Sequence, residues 1–268
     1  MLEKPPVMKK YNILLISLSG FLILLNFFLL WQYEPQVHRW GRVISTLTFL
    51  ILFLKHFHPK KILLLGALVL LIVADAFALE YHKALSQQAF FALQSLAYIF
   101  MVFHISKYLV KQKLKRYQVG YTAIVIFLNC SFIVILGELL AEEVKDQMVQ
   151  NLFYVYGIAT IFFISGGILY YDRFPNDLSA SFLMAVAGFV VSNLMGFPAH
   201  FMEFGEFYYL DRMFYVLGTG GLVSYSYYAG KTLYSVSENI SPEYLEDLQK
   251  KTTTREVLDD QLEEQNYL

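Results

Sequence analysis

Residues 62–80 read ILLLGALVLLIVADAFALE, an apolar stretch in which Asp75 is the first charged residue. A membrane-spanning helix needs about 20 apolar residues to cross a hydrocarbon core of about 30 Å. The stretch is therefore predicted to be a transmembrane helix. Asp75 is its most informative residue, because a carboxylate in the hydrocarbon region is costly and marks a candidate for function.

Comparable apolar stretches lie on both sides of residues 62–80, so that eight spans are predicted in all. These spans are residues 12–31, 41–56, 62–80, 89–109, 121–140, 150–171, 179–197 and 212–229. Of the 268 residues, 57% are hydrophobic and 16% are charged, whereas soluble domains carry roughly 25% charged residues. The predicted fold class is all-α, a polytopic membrane bundle of eight transmembrane helices.

The basic residues are divided unevenly between the two sides that eight spans define. With a cytoplasmic N-terminus, the outer side holds few of the 21 basic residues, namely Arg39, Arg42, Lys83, Lys145 and Arg212. Because short loops rich in Lys and Arg stay in the cytoplasm, we predict an integral membrane protein with both termini cytoplasmic. Arg42 opens the second span, and its long side chain is expected to snorkel to the interface.

The chain is predicted to have two parts. Residues 1–231 form the transmembrane domain, and residues 232–268 form a polar cytoplasmic tail. Within the tail, Ser241 as N-cap and Pro242 at the first helical position predict a helix over residues 242–265. Both a solvated appendage and a docking element are compatible with this tail.

Several polar residues are predicted to share one depth in the membrane. Asp75 lies 13 residues from the inner start of the third span, and Asn193 lies 14 residues from that of the seventh. Other polar residues in or near this layer are Ser95, Tyr98, Glu138, Tyr215 and Thr219. Such a layer suits a lipid head group or a proton path, and it equally suits hydrogen bonds that fix helix packing.

The spacing of these residues also suggests an internal duplication. Asn193 follows Asp75 by 118 residues, and Tyr215 follows Tyr98 by 117. Each pair occupies the third and fourth helices of a four-helix half. Two parallel four-helix repeats, related by an axis along the membrane normal, are one interpretation; chance spacing is the other.

Four short motifs contain most of these polar residues. The third span contains residues 74–75 (Ala-Asp), the seventh residues 189–193 (Phe-Val-Val-Ser-Asn), and the eighth residues 215–219 (Tyr-Val-Leu-Gly-Thr). The fourth span can be read in two registers. One covers residues 91–98, with Ser95 three positions before Tyr98. The other covers residues 100–108, with His104 four positions before Tyr108.

These motifs resemble those of the lysoplasmalogenase-like, or YhhN-like, family of eight-span membrane proteins. The family has Gly-Asp, Phe-x-x-x-His-x-x-Tyr, Phe-x-x-Ser-Asp and Tyr-x-x-x-Gln in the corresponding helices. In this chain Asn193 and Thr219 replace the second Asp and the Gln. The resemblance implies a hydrolase that cleaves the vinyl ether bond of lysoplasmalogens and releases a fatty aldehyde and a glycerophospho head group.

The resemblance also implies roles for individual residues. Asp75 would protonate the vinyl ether, and water would attack the oxocarbenium-like ion that results. Asn193 can hold that water but cannot act as a base, and Glu138 is the nearby carboxylate that would replace the missing partner. Further substrate-binding residues would be Ser95, Tyr98, Ser192, Tyr215 and Thr219.

Two alternative functions stay open at this stage. The changes at Asn193 and Thr219 favour a non-catalytic descendant that binds a single-chain lipid or serves as a partner subunit. Asp75 and the suggested repeat favour a small proton-coupled transporter. The sequence contains no metalloprotease, nucleophile-elbow, P-loop or Rossmann motif, and Cys130 is its single cysteine. No metal, cofactor or nucleic acid partner is therefore expected.

Overall fold

The computed structural model describes residues 6–33, 35–55, 61–110, 114–202 and 204–238, and within them it contains helices and no strands. The eight helices are α1 (Pro6–Gln32), α2 (Pro35–Lys55), α3 (Ile62–Ala78), α4 (Ala84–Leu109), α5 (Arg116–Glu143), α6 (Gln147–Arg173), α7 (Asp177–Phe201) and α8 (Phe207–Glu238). The predicted all-α class is confirmed. The predicted tail helix over residues 242–265 lies outside the described residues.

Five of the described helices are long and apolar enough to cross a membrane. They are α1 over Tyr11–Gln32 and α4, α5, α6 and α7 over their full lengths. Helix α3 is apolar too but has only 17 residues, and α2 and α8 contain charged residues soon after their first turns, at Arg39 and Arg42 and at Asp211 and Arg212. Five helices of this kind indicate an integral, multi-pass membrane protein.

The outer surface of the bundle is apolar. Large side chains such as Ile16, Leu24, Phe127 and Phe162 are exposed on it. In water, molecules with such a surface would tend to associate. In a membrane, the same surface can contact lipid tails, which are as apolar as the side chains themselves. Helices α1 and α5 bury the smallest shares of their length among the five candidate spans, so they are the most peripheral of these five.

The chain divides into two compact units, Met1–Tyr228 and Ala229–Leu268. The first unit contains the bundle and every contact discussed below. Of the second unit, the structure describes only the end of α8, which reaches Glu238 and so extends beyond the predicted last span. The predicted boundary between residues 231 and 232 stays a prediction.

Contacts between helix ends show that consecutive helices run up and down. At one end of the bundle, Tyr81, in the turn after α3, packs edge-on against His200 at the end of α7, with ring centroids 4.3 Å apart. At the same end, Arg39 near the start of α2 donates to the Leu79 carbonyl (3.3 Å). The connection after α5 lies here too, because Gln88 near the start of α4 donates to Asp146 (3.3 Å). We call this end, which holds the connections that follow α3, α5 and α7, the site end.

The opposite end is held by a separate set of hydrogen bonds. Tyr228 donates to Asn12 (3.0 Å), and Gln118 donates to Asp172 (2.6 Å).

Two helices have capped starts, because the Asp146 side chain accepts from two backbone amides of α6 and Asn176 accepts from one of α7. These caps satisfy amides that would otherwise lack partners and fix where α6 and α7 begin.

Helix α8 packs tightly against α7 through glycine. A Cβ atom at Gly188 would collide with the Gly218 backbone and the Phe214 carbonyl, and one at Gly221 would lie 2.7 Å from the Ala185 nitrogen. Small residues allow this close approach in membrane bundles. As the glycine and tyrosine content of the eighth span predicts, α8 lies inside the bundle. The same approach brings its first turns against the polar residues of α7.

Candidate functional site

A cavity of about 150 Å³ lies near the site end and is lined by residues of every helix from α2 to α8. With about 10–15 Å³ needed per water molecule, it has room for on the order of ten. The polar side of its lining includes Arg39, Arg42, Asp75, Asn193, Asp211 and Arg212. The apolar side includes Phe132, Ile133, Leu136, Phe153 and Phe197. The cavity therefore suits a ligand with a polar and an apolar part.

The polar side is built on four buried charges from three helices. Arg42 of α2 pairs through Nε with Oδ1 of Asp75 on α3 (3.0 Å), and its Nη1 lies 3.5 Å from Oδ1 of Asp211 on α8. Arg212 Nη1 donates to Asp211 Oδ2 (2.6 Å). Two guanidinium groups and two carboxylates thus form one network, and each charge has an opposite charge beside it, as burial requires.

Hydroxyl groups hold Asp75 in place. Tyr215 donates to Asp75 Oδ2, and Thr46 lies within hydrogen-bond distance of the same oxygen (3.2 Å) and of the Tyr215 hydroxyl (3.1 Å). The Arg42 guanidinium lies over the Tyr215 ring, 3.9 Å from its centroid, which adds a cation–π contact. The carboxylate is thus oriented from α2 and α8 together.

Asp211 has an equally full set of partners. Ser192 of α7 donates to its Oδ1 (2.5 Å), the oxygen that also faces Arg42. Because Asp211 and Ser192 belong to helices joined by the glycine contact, the packing of α7 on α8 positions this side of the network.

The rim of the cavity at the site end is made of Arg39, Tyr81, His200 and Tyr208. Arg39 Nη1 donates to the carbonyls of Ala78 (3.4 Å) and Leu79 (3.3 Å). The Tyr208 hydroxyl and His200 Nδ1 are 3.2 Å apart. Tyr81 lies in the turn after α3, and burial raises the pKa of its hydroxyl above the ordinary value. Its hydroxyl therefore stays protonated at neutral pH.

The α5 side of the cavity is only one side chain thick. Phe132 lines the cavity and yet has 52% of its surface exposed on the outside of the bundle. Its neighbours Ile133 and Leu136 also belong to the apolar lining. The apolar part of the cavity therefore reaches the surface that faces lipid.

A second polar group on the cavity wall carries no charge. Asn193 of α7 donates through Nδ2 to the Tyr98 hydroxyl of α4. The Tyr98 ring lies 5.8 Å from that of Tyr156 on α6, and Thr160 donates to the Tyr156 carbonyl (2.9 Å). Tyr156, Thr160 and Asn193 all line the cavity.

The charged and uncharged groups match each other in several of their contacts. Asp75 and Tyr215 join α3 to α8, whereas Asn193 and Tyr98 join α7 to α4. Thr46 donates to the carbonyl four residues before it (2.9 Å), as Thr160 does in α6. The aromatic partner of Arg42 is Tyr215, so Arg42 takes the place that Tyr156 has beside Tyr98.

Most of the predicted site residues meet in this region. Asp75 and Asn193, predicted to share one depth, line the same cavity. Tyr98 binds Asn193, Tyr215 binds Asp75, and Ser192 binds Asp211.

Three predicted residues do not face the cavity. Ser95 and Thr219 are buried and donate to carbonyls of their own helices, those of Phe91 (2.6 Å) and Tyr215 (2.9 Å). Glu138 is exposed on α5 and is not part of the lining. It therefore takes no part in the proposal below.

Sequence reasoning missed Arg42, Asp211 and Arg212. The sequence predicts Arg42 and Arg212 only as outer charges, and the prediction that Arg42 snorkels to the interface is wrong, since it is only 9% exposed and pairs with Asp75. The available signal was an arginine at the start of each of the two least apolar predicted spans. Such a charge is expensive in the membrane unless it has a buried partner.

No protein-family model, no curated protein and no solved structure shows significant similarity to this chain. In the part of the chain that the structure describes, no three His, Cys, Asp or Glu side chains are placed to share a metal ion.

Proposed function

We propose that the chain is an eight-span membrane protein with cytoplasmic termini, built from two parallel four-helix halves, α1–α4 and α5–α8. Three observations support this proposal. Consecutive helices are antiparallel, α2 and α8 pair their charges inside the bundle rather than exposing them, and the two halves make matched contacts. Opposite charges paired in this way lower the cost of placing α2 and α8 in the membrane.

Labelling of single cysteines tests the topology. With Cys130 replaced by serine, Lys83→Cys at the site end should react with an impermeant maleimide in intact cells. Leu114→Cys, exposed in the α4–α5 connection, should react only after permeabilisation. The reverse pattern would overturn the orientation, and equal labelling of both positions would overturn the membrane crossing of α4, the one helix between them.

We propose that the cavity binds a single-chain lipid and that the protein is a lysoplasmalogenase-like hydrolase. The observation that carries the proposal is an amphipathic cavity with a carboxylate, Asp75, on its polar side and an apolar side at Phe132 that opens to lipid. The chain of the lipid would lie along α5, and the vinyl ether would lie near Asp75.

The reaction would use Asp75 as acid. Asp75 is paired with Arg42, so it first takes up a proton from water and then delivers it to the vinyl ether carbon. Water adds to the resulting oxocarbenium ion and gives up one proton, which returns to the Asp75 carboxylate. The hemiacetal then collapses to aldehyde and free alcohol as the C–O bond breaks and the hydroxyl proton passes to the leaving oxygen. Asn193 would orient that water through its amide, because Nδ2 already donates to Tyr98 and Oδ1 is left to accept.

The test is release of fatty aldehyde from a lysoplasmalogen by the purified protein. Asp75→Asn is expected to lower the rate about 100-fold or more, in the range of general acid catalysis. Glu138→Gln, on the exposed face of α5, is the matched control and should keep the wild-type rate. Equal rates for Asp75→Asn and wild type would remove Asp75 from the mechanism.

A non-catalytic lipid-binding protein is the second candidate. It is favoured by the uncharged pair of Asn193 and Tyr98, since that half of the cavity holds no carboxylate to activate water. Native mass spectrometry on the same preparation separates the two candidates. A retained lysolipid without turnover supports binding alone, and an empty protein without turnover argues against both.

A further inference from the structure

The charges that line the cavity do not balance. Three arginines, Arg39, Arg42 and Arg212, face two aspartates, Asp75 and Asp211. Arg42 and Arg212 pair with these two aspartates. The lining therefore carries one formal positive charge more than its carboxylates neutralise.

The excess charge belongs to Arg39. Its hydrogen bonds go to the carbonyls of Ala78 and Leu79 at 3.4 and 3.3 Å, and Tyr208 lies beside it. These acceptors are uncharged, and both carbonyl contacts are long. Among the described residues, no carboxylate lies within ion-pair distance of Arg39. A half-buried guanidinium in this position can bind an anion without giving up a salt bridge to any described residue.

The two buried arginines also have donors to spare. Arg42 Nη2 and Arg212 Nε are buried and make no hydrogen bond with the described residues. Arg42 is 9% exposed and Arg212 is 3% exposed, so bulk water is a poor substitute. Buried donors without a partner are rare in folded proteins and call for a ligand or a bound water.

We propose that Arg39, Arg42 and Arg212 form an anion subsite that binds a phosphate group of the ligand. Guanidinium groups bind phosphate oxygens through paired donors, which gives both strength and geometry. The phosphate lies at the rim beside Arg39, and the attached chain follows the apolar side toward Phe132. The preferred ligand is thus a single-chain lipid with a phosphate-bearing head group rather than a neutral one.

The subsite also connects binding with the chemistry, and this step rests on the proposed function. A phosphate at Arg42 competes with Asp75 for the same guanidinium, which now lies 3.0 Å from the carboxylate. The ligand therefore loosens the ion pair that holds Asp75 in its charged form. Asp75 is then free to take up the proton that it delivers.

The test measures the binding of three probes in neutral detergent. Glycerol phosphate has the phosphate but no acyl chain, a monoacylglycerol has the chain but no phosphate, and lysophosphatidic acid with the same chain has both. Wild type is expected to bind lysophosphatidic acid at least about tenfold tighter than the monoacylglycerol, since one charge-assisted hydrogen bond contributes about 1.5–3 kcal/mol and 1.4 kcal/mol is tenfold. Arg39→Gln should lose this preference and keep its affinity for the monoacylglycerol.

Two variants serve as controls. Lys83→Gln removes a cation at the same end of the bundle that is exposed and pairs with Glu80, so it should bind all probes like wild type. Arg39→Lys keeps the charge and should keep part of the preference. The melting temperature of each variant is measured beside its binding, so that a misfolded variant is recognised.

The outcomes separate the subsite from the lipid site. Equal affinity of wild type for both lipids would overturn the anion subsite and leave the lipid site standing. Glycerol phosphate binding as tightly as lysophosphatidic acid would support an anion site for free phosphate and overturn the lipid function. If no probe binds, both proposals are overturned.

Discussion

Replacing Arg42 with methionine is expected to lower the free energy of unfolding by about 3–5 kcal/mol, the usual cost of removing one partner of a buried ion pair. Methionine keeps much of the volume but leaves Asp75 without its counter-charge. Asp211 keeps Arg212 and Ser192, so the loss falls mainly on Asp75. Because Asp75 is only 1% exposed, bulk water is a poor substitute for the guanidinium.

Thermal unfolding of the purified protein in detergent measures this effect. At about 2–4 °C per kcal/mol for a chain of this size, the melting temperature should fall by about 6–20 °C. The double variant Arg42→Met/Asp75→Asn removes both charges and should recover most of the loss, since replacing a whole buried pair is often neutral. Lys83→Met breaks an exposed pair and should change little. A melting temperature for Arg42→Met within a degree of wild type would contradict the ion network.

Gly188→Ala is expected to cost about 3 kcal/mol, at the upper end for overpacking in a closed interior. The added Cβ would collide with the Cα and N atoms of Gly218 and with the Phe214 carbonyl. All of these are backbone atoms, so no side chain can turn aside. Helices α7 and α8 have to separate, and Asp211 then moves away from Ser192.

The matched control is Gly20→Ala in α1, where an added Cβ meets no atom within 4 Å. This change should be neutral or slightly stabilising, because alanine is favoured over glycine in a helix by about 0.5–1 kcal/mol. Both variants are compared by melting temperature and by retention of lysolipid in native mass spectrometry. If Gly188→Ala melts and binds like Gly20→Ala, the close packing of α7 on α8 is wrong.

Much of the helical architecture follows from the sequence. The length and apolar character of segments such as residues 89–109 and 150–171 are enough to predict α4 and α6, because a chain in lipid must satisfy its backbone within each segment. The starts of α2 and α8 lie before the predicted spans, since a helix continues into residues too polar for the hydrocarbon core. Apolar length alone gave no information about the charged residues near these helix starts, such as Arg42 and Asp211.

The site was predictable in part. Asp75 stands out because it is a carboxylate in an apolar run, and equal distances from the inner helix ends put Asn193 near the same depth. Depth along a helix follows from residue counting, at about 1.5 Å per residue. Rotation about the helix axis does not, and this is why Glu138 was expected near the cavity although the structure places it on the exposed face of α5.

The stretch around Asp75 by itself determined that this chain has an apolar helix with a carboxylate that is costly to bury. The tertiary structure alone decided which partners offset that cost, by turning Arg42 and Tyr215 inward from two helices that are distant in sequence. An arginine near the end of a span can reach the interface or a buried carboxylate with the same side chain. Which of the two it reaches depends on the side chains that neighbouring helices place at the same depth. A single sequence does not contain the arrangement of those helices.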